Sequence, residues 1–343
     1  MAIKSKPKAK SKKKALPKKP FVIDFHGHIV NPKVFELTQK NSLHSRIGLG
    51  KQTSLGGDKH SQRTMQAMLD IDVRLKDMDR MGIDMQVISP SLIHHNTEPM
   101  APSRALKIVQ RVNDSVAEAV SDHPDRLAGI GIVPLQDAKL SAKELDRMVK
   151  KLDLRGVQIS TIVRGDEIGD KKFLPFWRKA EQLDVPVFIH PAGNSDPRLK
   201  KFGLAFMVGQ PYEEALAMSS LVYEGVMDKF PKLKILVAHG GGYLPYYAGR
   251  QDNAYRAGRD GGTLKGSFSS YIRKFHYETV VFNPDMLDFL ATKVSVKNIV
   301  MGTDYPFGES NPISFIRKTK KLSSAQQDAI LGKNAARLLK IKI

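Results

Sequence analysis

Short apolar runs alternate with amphipathic stretches from Phe21 to the end of the chain. The runs are nearly continuous in apolar residues, as is typical of parallel strands that are covered on both faces. Eight of them are predicted strands, spanning residues 21–26, 85–90, 127–134, 156–161, 185–190, 234–239, 277–282 and 298–303. Between the strands, apolar residues recur at helical spacing. The predicted helices span residues 103–121, 139–152, 173–183, 213–230, 243–258, 284–293 and 325–339.

Strands that alternate with helices predict βαβ units and a parallel sheet. Eight such units without a clear reversal favour a closed (β/α)8 barrel of the TIM type over a doubly wound sheet. We therefore expect residues 21–343 to form a single α/β domain. The segment 31–71 is too long for an ordinary strand-to-helix connection, and long loops of this kind are often functional. We interpret it as an insertion near the active site.

The charge of the chain is unevenly distributed. Its formal net charge is +20, and residues 1–20 contain nine lysines and no acidic residue. This segment has no apolar pattern that could pack, so we expect residues 1–20 to be a disordered tail. Contact with nucleic acid through the tail is possible. A solvated extension is the more economical interpretation.

Two absences narrow the class of protein. No apolar run approaches the ~20 residues that would span a bilayer, so we expect a soluble protein without a membrane partner. The chain contains no cysteine, which excludes disulfides and thiolate metal sites and fits a reducing, cytoplasmic compartment. Any metal ion must therefore be bound by nitrogen and oxygen ligands.

Four of the predicted strands end at or next to a side chain that can bind a metal ion, and Gly or Pro follows within two residues. The first reaches His26, Gly27 and His28, and the others reach His190, His239 and Asp304. In a parallel barrel the carboxyl ends of all strands lie on one face, and barrel enzymes carry their chemistry there. We therefore expect these side chains to meet although they are far apart in sequence.

The residue types indicate a metal site. His26 and His28 are two positions apart, which places them on the same side of an extended strand. Neutral imidazoles together with a carboxylate suit zinc, manganese or iron. A single histidine at a strand end is more often structural, and we assign His44, His60, His123 and His276 to structural or surface roles. His94 and His95 follow the second strand and remain possible substrate contacts.

The chain resembles the amidohydrolase superfamily, and within it the branch of 2-amino-3-carboxymuconate-6-semialdehyde decarboxylase and aromatic-acid decarboxylases. The resemblance covers residues 22–339. It rests on the stretches Asp24-Phe25-His26-Gly27-His28, His123-Pro124-Asp125-Arg126-Leu127, Arg155-Gly156-Val157-Gln158-Ile159, Pro186-Val187-Phe188-Ile189-His190-Pro191, Phe230-Pro231-Lys232-Leu233-Lys234, His239-Gly240-Gly241-Gly242 and Gly302-Thr303-Asp304-Tyr305-Pro306.

The resemblance implies roles for individual residues. The metal ligands would be His26, His28, His190 and Asp304, and His239 would be a catalytic acid or base. Binuclear members carry a lysine at the end of the fourth strand, and this strand, at residues 156–161, has none. The resemblance therefore implies one divalent ion, with zinc expected and manganese as the alternative.

Two arginines are candidate contacts for a substrate carboxylate. Arg250 follows His239 by eleven residues, which matches a family arginine that reaches into the neighbouring subunit. The resemblance therefore also implies a homodimer. Arg63 is the nearest candidate for a second family arginine, which lies in the insertion, although its spacing to Arg74 fits poorly.

The expected function is that of a carboxy-lyase. The enzyme would remove carbon dioxide, without oxidation, from a small unsaturated or aromatic carboxylic acid. The alternative is a metal-dependent hydrolase or hydratase that acts on a lactone, an amide, a carbon–carbon bond or an unsaturated acid with the same site. A third hypothesis, a scaffold attached to nucleic acid by its tail, does not explain why these histidines and the aspartate occur together.

Overall fold

The computed structural model describes residues 19–32, 59–91, 97–192 and 196–343. Most of the predicted tail and most of the predicted insertion lie outside these ranges, as do His44, His94 and His95. The division into a tail, a single domain and an insertion therefore remains a prediction.

Strands form the centre of the described structure, and all but two of those described pair in parallel. They are β1 (Ile23–Ile29), β2 (Met85–Pro90), β3 (Leu127–Gly129), β4 (Gly131–Ile132), β5 (Val157–Ile159), β6 (Ile162–Val163), β7 (Asp166–Glu167), β8 (Pro186–Ile189), β9 (Lys234–Val237), β10 (His276–Glu278) and β11 (Ile299–Val300). The pair β6 and β7 is an antiparallel side hairpin. The others correspond to all eight predicted strands, because β3 and β4 are two parts of the third.

Hydrogen bonds connect these strands in two sheets. One has the order β1-β2-β3 and the other the order β11-β10-β9-β8-β5-β4. The backbone N–H of Ile130, between β3 and β4, donates to Ile88, and that of Gly131 donates to Gly156, so the third strand belongs to both sheets. On the other side, Phe25 N–H donates to Met301 at 2.9 Å, and Gly27 forms a parallel bridge with Tyr305. The first and last strands therefore meet, as the prediction of an (β/α)8 barrel requires.

Helices cover the outside of the sheet. The main ones are Lys59–Leu69, Ile71–Met81, Pro102–Asp122, Ala138–Lys151, Leu174–Leu183, Gln210–Tyr223, Leu244–Arg256, Pro284–Lys293 and Asn334–Leu339. Local signals set their ends. The Asp70 carboxylate accepts hydrogen bonds from two backbone N–H groups of the following helix, and Gly82 ends that helix with a φ of 74°. No helix among the described residues combines the length and the apolar character needed to cross a bilayer.

Two predicted helices are interrupted. The helix predicted for residues 213–230 ends at Tyr223, and Gly225, with a φ of 73°, starts a separate turn at Val226–Lys229. The helix predicted for residues 325–339 contains a π-helical turn at Ala329–Lys333. There Gly332 packs so closely on β1 that a Cβ atom would lie 1.8 Å from the carbonyl oxygen of Phe21. Close packing and a left-handed residue therefore override the helical pattern at these points.

Two apolar regions hold the barrel together. The larger one lies between the sheet and the helices and includes Trp177, Phe176 and Tyr277, all fully buried. The smaller one includes Phe25 and Phe188, whose rings meet edge to face at 5.7 Å. Burying aromatic surface of this kind is a main source of stability. The His26 ring lies 4.9 Å from the Phe188 ring, so the candidate site rests directly on this apolar layer.

Candidate metal centre and active site

A register shift in β1 brings its two histidines to the centre of the site. The pairing of β1 with β2 is irregular between Asp24 and Gly27, which is the signature of a β-bulge. Bulges re-aim side chains near active sites. Gly27 is required here because a Cβ atom would lie 2.6 Å from the Gln86 side chain. As a result, the Nε2 atoms of His26 and His28 lie 3.1 Å apart.

The ends of two other strands complete a compact group of four. His190 directly follows β8, and its ring centroid lies 4.8 Å from that of His28. Asp304 follows β11, and its Oδ1 atom lies 2.9 Å from His28 Nε2 and 3.2 Å from His26 Nε2. One ligand atom from each of His26, His28, His190 and Asp304 lies within 4.8 Å of the others.

The chemistry of this group fits a divalent ion. The Nδ1 atom of His190 lies 2.9 Å from the carbonyl oxygen of Pro191, which makes Nδ1 the donor and leaves Nε2 with a free lone pair. That Nε2 atom is buried and has no hydrogen-bond partner among the described residues. An orphaned buried nitrogen is costly unless it binds a cation. Three imidazoles and one carboxylate form a donor set that suits zinc or manganese.

The electrostatics favour ligand-competent protonation states. Burial lowers the pKa of His26 and of His190 well below its usual value, so both imidazoles are neutral. Burial alone would raise the pKa of Asp304, but the nearby His26, His239 and His28 hold it well below its ordinary range. Neutral histidines beside an ionised carboxylate are the forms that bind metal ions.

Glu278 supports the group from behind. This fully buried carboxylate lies at the end of β10, and its Oε1 atom is 3.4 Å from His26 Nδ1. The same oxygen accepts the backbone N–H of His239, and Oε2 accepts that of Val280 at 2.5 Å. Burial raises the pKa of Glu278 to about 8. Because an acidic group at Nδ1 fixes the ring orientation, Glu278 directs His26 Nε2 toward the other three residues of the group.

A buried chain of polar groups supports the first and last strands. Asp24 accepts hydrogen bonds from the His26 backbone, from the Gln86 amide at 2.7 Å and from the Thr303 hydroxyl at 2.6 Å. The fully buried Arg74 donates to Gln86 at 2.6 Å and to the carbonyl of His28. These bonds satisfy groups whose burial is otherwise costly, so they fix the backbone on both sides of the candidate metal centre.

His239 stands beside the four-residue group. Its Nδ1 atom lies 2.5 Å from Oε1 of Glu214, and its Nε2 atom lies 3.7 Å from Oδ2 of Asp304. His239 and Asp304 adopt left-handed backbone angles, with φ of 47° and 56°. Such angles are uncommon for non-glycine residues, and here they occur at two residues that meet in the site. The ring of His239 is therefore held between two carboxylates.

This environment sets the protonation of His239. Burial lowers its pKa, but the carboxylates of Glu214 and Asp304 outweigh burial, so that its pKa lies well above its usual value. Burial raises the pKa of Glu214. An imidazolium between two carboxylates is a proton donor that is already in place, which is what general acid catalysis needs.

A cavity of about 590 Å³ opens at His239 and Asp304. Phe206, Phe282 and Phe307 lie in its walls, and Gln210 and Tyr246 also face it. The ring of Phe307 lies 5.9 Å from that of His28. The volume falls within the range of small-molecule sites, and the mixture of aromatic walls with few polar groups is typical of them. The cavity suits a flat unsaturated molecule.

The described structure does not bring the two predicted arginines to this cavity. Arg63 donates two hydrogen bonds to Asp77, at 2.7 and 2.6 Å, and lines a smaller cavity of about 140 Å³. Arg250 is exposed on the helix Leu244–Arg256. Their roles as substrate contacts therefore remain predictions, and for Arg63 the pairing with Asp77 already neutralises its charge.

The sequence interpretation missed two acidic residues of the site. Glu278 is the one charged residue in the apolar run that forms the seventh predicted strand, and Glu214 belongs to a pair of adjacent acids in an otherwise uncharged helix. Both are fully buried. A charged residue in an apolar segment is a usable signal, because such a residue is rarely buried unless it is paired.

Comparisons with known proteins agree with this architecture. A family profile described as Amidohydrolase matches residues 23–341. The 2-amino-3-carboxymuconate-6-semialdehyde decarboxylase of Dictyostelium discoideum is 33% identical over 339 residues, which cover 92% of this chain and 91% of that protein.

Solved structures show the same fold. The 2,6-dihydroxybenzoate decarboxylase from Rhizobium is similar, with a TM-score of 0.82 and 26% identity, over 94% of this chain and 99% of that one. The dihydroxybenzoic acid decarboxylase from Polaromonas sp. has a TM-score of 0.80 and 25% identity over 94% of this chain and 98% of that one. The latter structure contains manganese and the inhibitor 2-nitroresorcinol.

Proposed function

Because the chain belongs to the amidohydrolase family, whose profile spans residues 23–341, we propose that it is a metal-dependent carboxy-lyase. The substrate class is a small unsaturated or aromatic carboxylic acid, and the products are carbon dioxide and the acid's decarboxylated form. The observation that carries this proposal is the cavity with aromatic walls, which opens at His239 and at Asp304 of the four-residue group.

The resident cofactor proposed is one divalent ion held by His26, His28, His190 and Asp304. When bound, it supplies positive charge that stabilises negative charge developing on the substrate. We expect zinc, with manganese as the alternative. The manganese bound to the decarboxylase from Polaromonas sp. supports the alternative, and the donor set suits both ions.

His239 supplies the proton. In the proposed reaction a proton is added to the carbon that bears the carboxylate, the carbon–carbon bond to the carboxylate breaks, and its electron pair returns to the unsaturated system as carbon dioxide leaves. No oxidant and no net water are consumed. His239 is fitted to this step because its pKa lies well above the usual value and its Nε2 atom faces Asp304 at the cavity.

Binding and orientation come from the cavity walls. Phe206, Phe282 and Phe307 would sandwich a planar ring, which keeps water away from the carbon that is protonated. Gln210 and Tyr246 offer hydrogen bonds to ring substituents. In a homodimer, Arg250 of one subunit would reach into the site of the other and contact a carboxylate of the substrate. Arg63 remains a weaker candidate for a similar contact.

Product analysis of the metal-loaded protein tests this proposal. Carboxylated catechols, salicylates and muconate semialdehydes are screened, and carbon dioxide and the organic product are both quantified. The expected result is one carbon dioxide per substrate consumed and, in heavy water, one deuterium at the carbon that lost the carboxylate. The control is His239→Ala with matched metal content.

Other products would identify the alternative function. A product that gains the mass of one water and releases no carbon dioxide would show a hydrolase or hydratase, and would reject the lyase. Deuterium at a different carbon would reject the direct protonation step.

A further inference from the structure

A carboxylate outside the predicted site is aimed at the ring of His239. Glu214 is the fifth residue of the helix Gln210–Tyr223, and its Oε1 atom is 2.5 Å from His239 Nδ1. Glu214 is fully buried, and the other buried residues of this helix are apolar. Burying a carboxylate in apolar surroundings is unfavourable unless a specific partner compensates. His239 is that partner.

The backbone is built to bring the two side chains together. The segment Gly240–Gly242 follows His239, and a Cβ atom on Gly242 would lie 2.3 Å from the carbonyl oxygen of Pro211. This close approach seats the start of the helix against the end of β9. The second oxygen of Glu214 is buried and has no hydrogen-bond partner among the described residues. Within the described chain, the contact with His239 is therefore the one hydrogen bond of this carboxylate.

Three contacts define the position of His239. Its backbone N–H donates to Glu278, its Nδ1 atom meets Glu214, and its Nε2 atom faces Asp304 at 3.7 Å. A carboxylate accepts hydrogen bonds, so Nδ1 is the donor in the contact with Glu214. The remaining ring nitrogen, Nε2, is therefore the one presented to the cavity.

We infer that Glu214 is a positioning residue, which fixes the ring orientation of His239 with the proton on Nδ1 and so presents Nε2 to the substrate. Glu214 itself does not line the cavity, and it acts only through His239. The expected effect on kcat rests on the proposed function. The expected NMR signal does not depend on which substrate the protein uses.

The neighbouring acid provides a matched control. Glu213 lies on the same helix turn, but its Oε2 atom accepts a hydrogen bond from the Thr161 hydroxyl at 2.7 Å, away from His239. Glu213→Gln makes the same chemical change one position earlier. A merely structural role for acids at this helix start predicts similar effects for both positions, whereas a positioning role predicts an effect for Glu214 alone.

The kinetic arm compares Glu214→Gln, Glu214→Ala and Glu213→Gln as metal-loaded proteins. We expect both Glu214 variants to lower kcat on the order of 10²-fold or more, as removal of an orienting carboxylate typically does, with KM and metal content nearly unchanged. Glutamine keeps the volume but removes the negative charge and can turn its amide N–H toward Nδ1, so the acceptor that fixes the ring is lost. If Glu214→Ala does not fold, Glu214→Gln decides, because it preserves packing.

The spectroscopic arm uses protein labelled with ¹⁵N-histidine and loaded with zinc. We expect a hydrogen-bonded imidazole proton far downfield of the amides, assigned to His239 by its loss in His239→Ala. It should disappear or move in Glu214→Gln and remain in Glu213→Gln. Persistence of the signal in Glu214→Gln, or an equal kcat loss in Glu213→Gln, would overturn the inference. Failure to find a decarboxylated substrate would reject the proposed function and leave this spectroscopic test valid.

Discussion

Nε2 of His28 lies 2.9 Å from Oδ1 of Asp304, although the two residues are 276 positions apart in the sequence. The contact exists because the first and last strands of the barrel are neighbours, joined by the bridge between Gly27 and Tyr305. The candidate metal centre thus lies across the junction that closes the barrel. Its candidate ligands come from distant parts of the sequence, so the whole fold is needed to bring them together.

The protein should bind about one divalent ion per chain. The four ligand atoms lie within 4.8 Å of one another, and the fourth predicted strand offers no lysine for a second ion. Elemental analysis after reconstitution measures the stoichiometry. His190→Ala and Asp304→Asn should lower occupancy, because each removes one of four ligands. Two tightly bound ions per chain, or none, would contradict the assignment.

His239→Ala should lower kcat by ~10²–10⁴-fold, the usual contribution of a general acid or base, while metal content stays nearly constant. The reason is that His239 contacts Asp304 at 3.7 Å but is not among the four grouped ligands. Steady-state kinetics and metal analysis on the same preparation provide the measurement. His123→Ala, at the end of a helix, is the control. Loss of metal in His239→Ala would show that it is a ligand.

The candidate residues at the strand ends could be predicted from the sequence, but the buried acidic residue that contacts one of them could not. A long apolar run that ends on His190 or Asp304 is a local pattern, so it is visible in one dimension. The contact of Glu278 with His26 joins residues 252 positions apart, and no spacing rule encodes it.

The helix Ile71–Met81 was not predicted for a related reason. Its buried face carries Arg74 and Asp77 beside two methionines, so the apolar periodicity is interrupted by charge. Those charges are satisfied only in three dimensions: Arg74 bonds to Gln86, and Asp77 accepts from Arg63 and Tyr305. The caps at Asp70 and Gly82 were the available signal.

Arg250 should act across a dimer interface. It is exposed on the same helix as Tyr247, and Tyr243 precedes that helix. These tyrosines are 60% and 44% exposed, and tyrosine and arginine are common interface anchors. Arg250→Ala and His239→Ala chains, each inactive alone, should recover partial activity when co-assembled, because one mixed site carries both residues. Arg256→Ala should stay active. Light scattering that shows a monomer, or verified mixed dimers without rescue, would reject this prediction.

His276 should make the fold sensitive to acid. Burial, with added repulsion from Arg337, Lys234 and Lys297, lowers the pKa of His276 from 6.5 to about 4. Above pH 6.5 both folded and unfolded states hold it neutral. As the pH falls from 6.5 to about 4, the unfolded state takes up the proton and the folded state does not, so stability falls.

The difference between the pKa of His276 in the unfolded and folded states corresponds to about 3 kcal/mol of unfolding free energy, because one pKa unit is worth about 1.36 kcal/mol. Urea unfolding of wild type and His276→Gln between pH 7 and about pH 4 measures it. The wild type should lose more stability than the variant over this interval. Parallel curves for the two proteins would show that His276 does not contribute.

Deletion of residues 1–20 should leave turnover and the melting temperature unchanged. A lysine-rich segment without an apolar pattern that could pack contributes little to folding. Calorimetry and kinetics on the shortened chain test this. A large fall in melting temperature would show that the segment packs on the barrel. Salt-dependent binding to nucleic acid that disappears on deletion would instead reveal a tether.

The bridge between Gly27 and Tyr305 also governs when the protein can become an enzyme during its synthesis. The ribosome produces His26 and His28 early, but their partner Asp304 emerges only after a further 276 residues have been added to His28. During that interval the growing chain carries two candidate ligands, and a third once His190 has been added, while one edge of β1 still lacks its partner. A chain that stalls before Asp304 therefore lacks the only carboxylate of the four-residue group and has no completed centre.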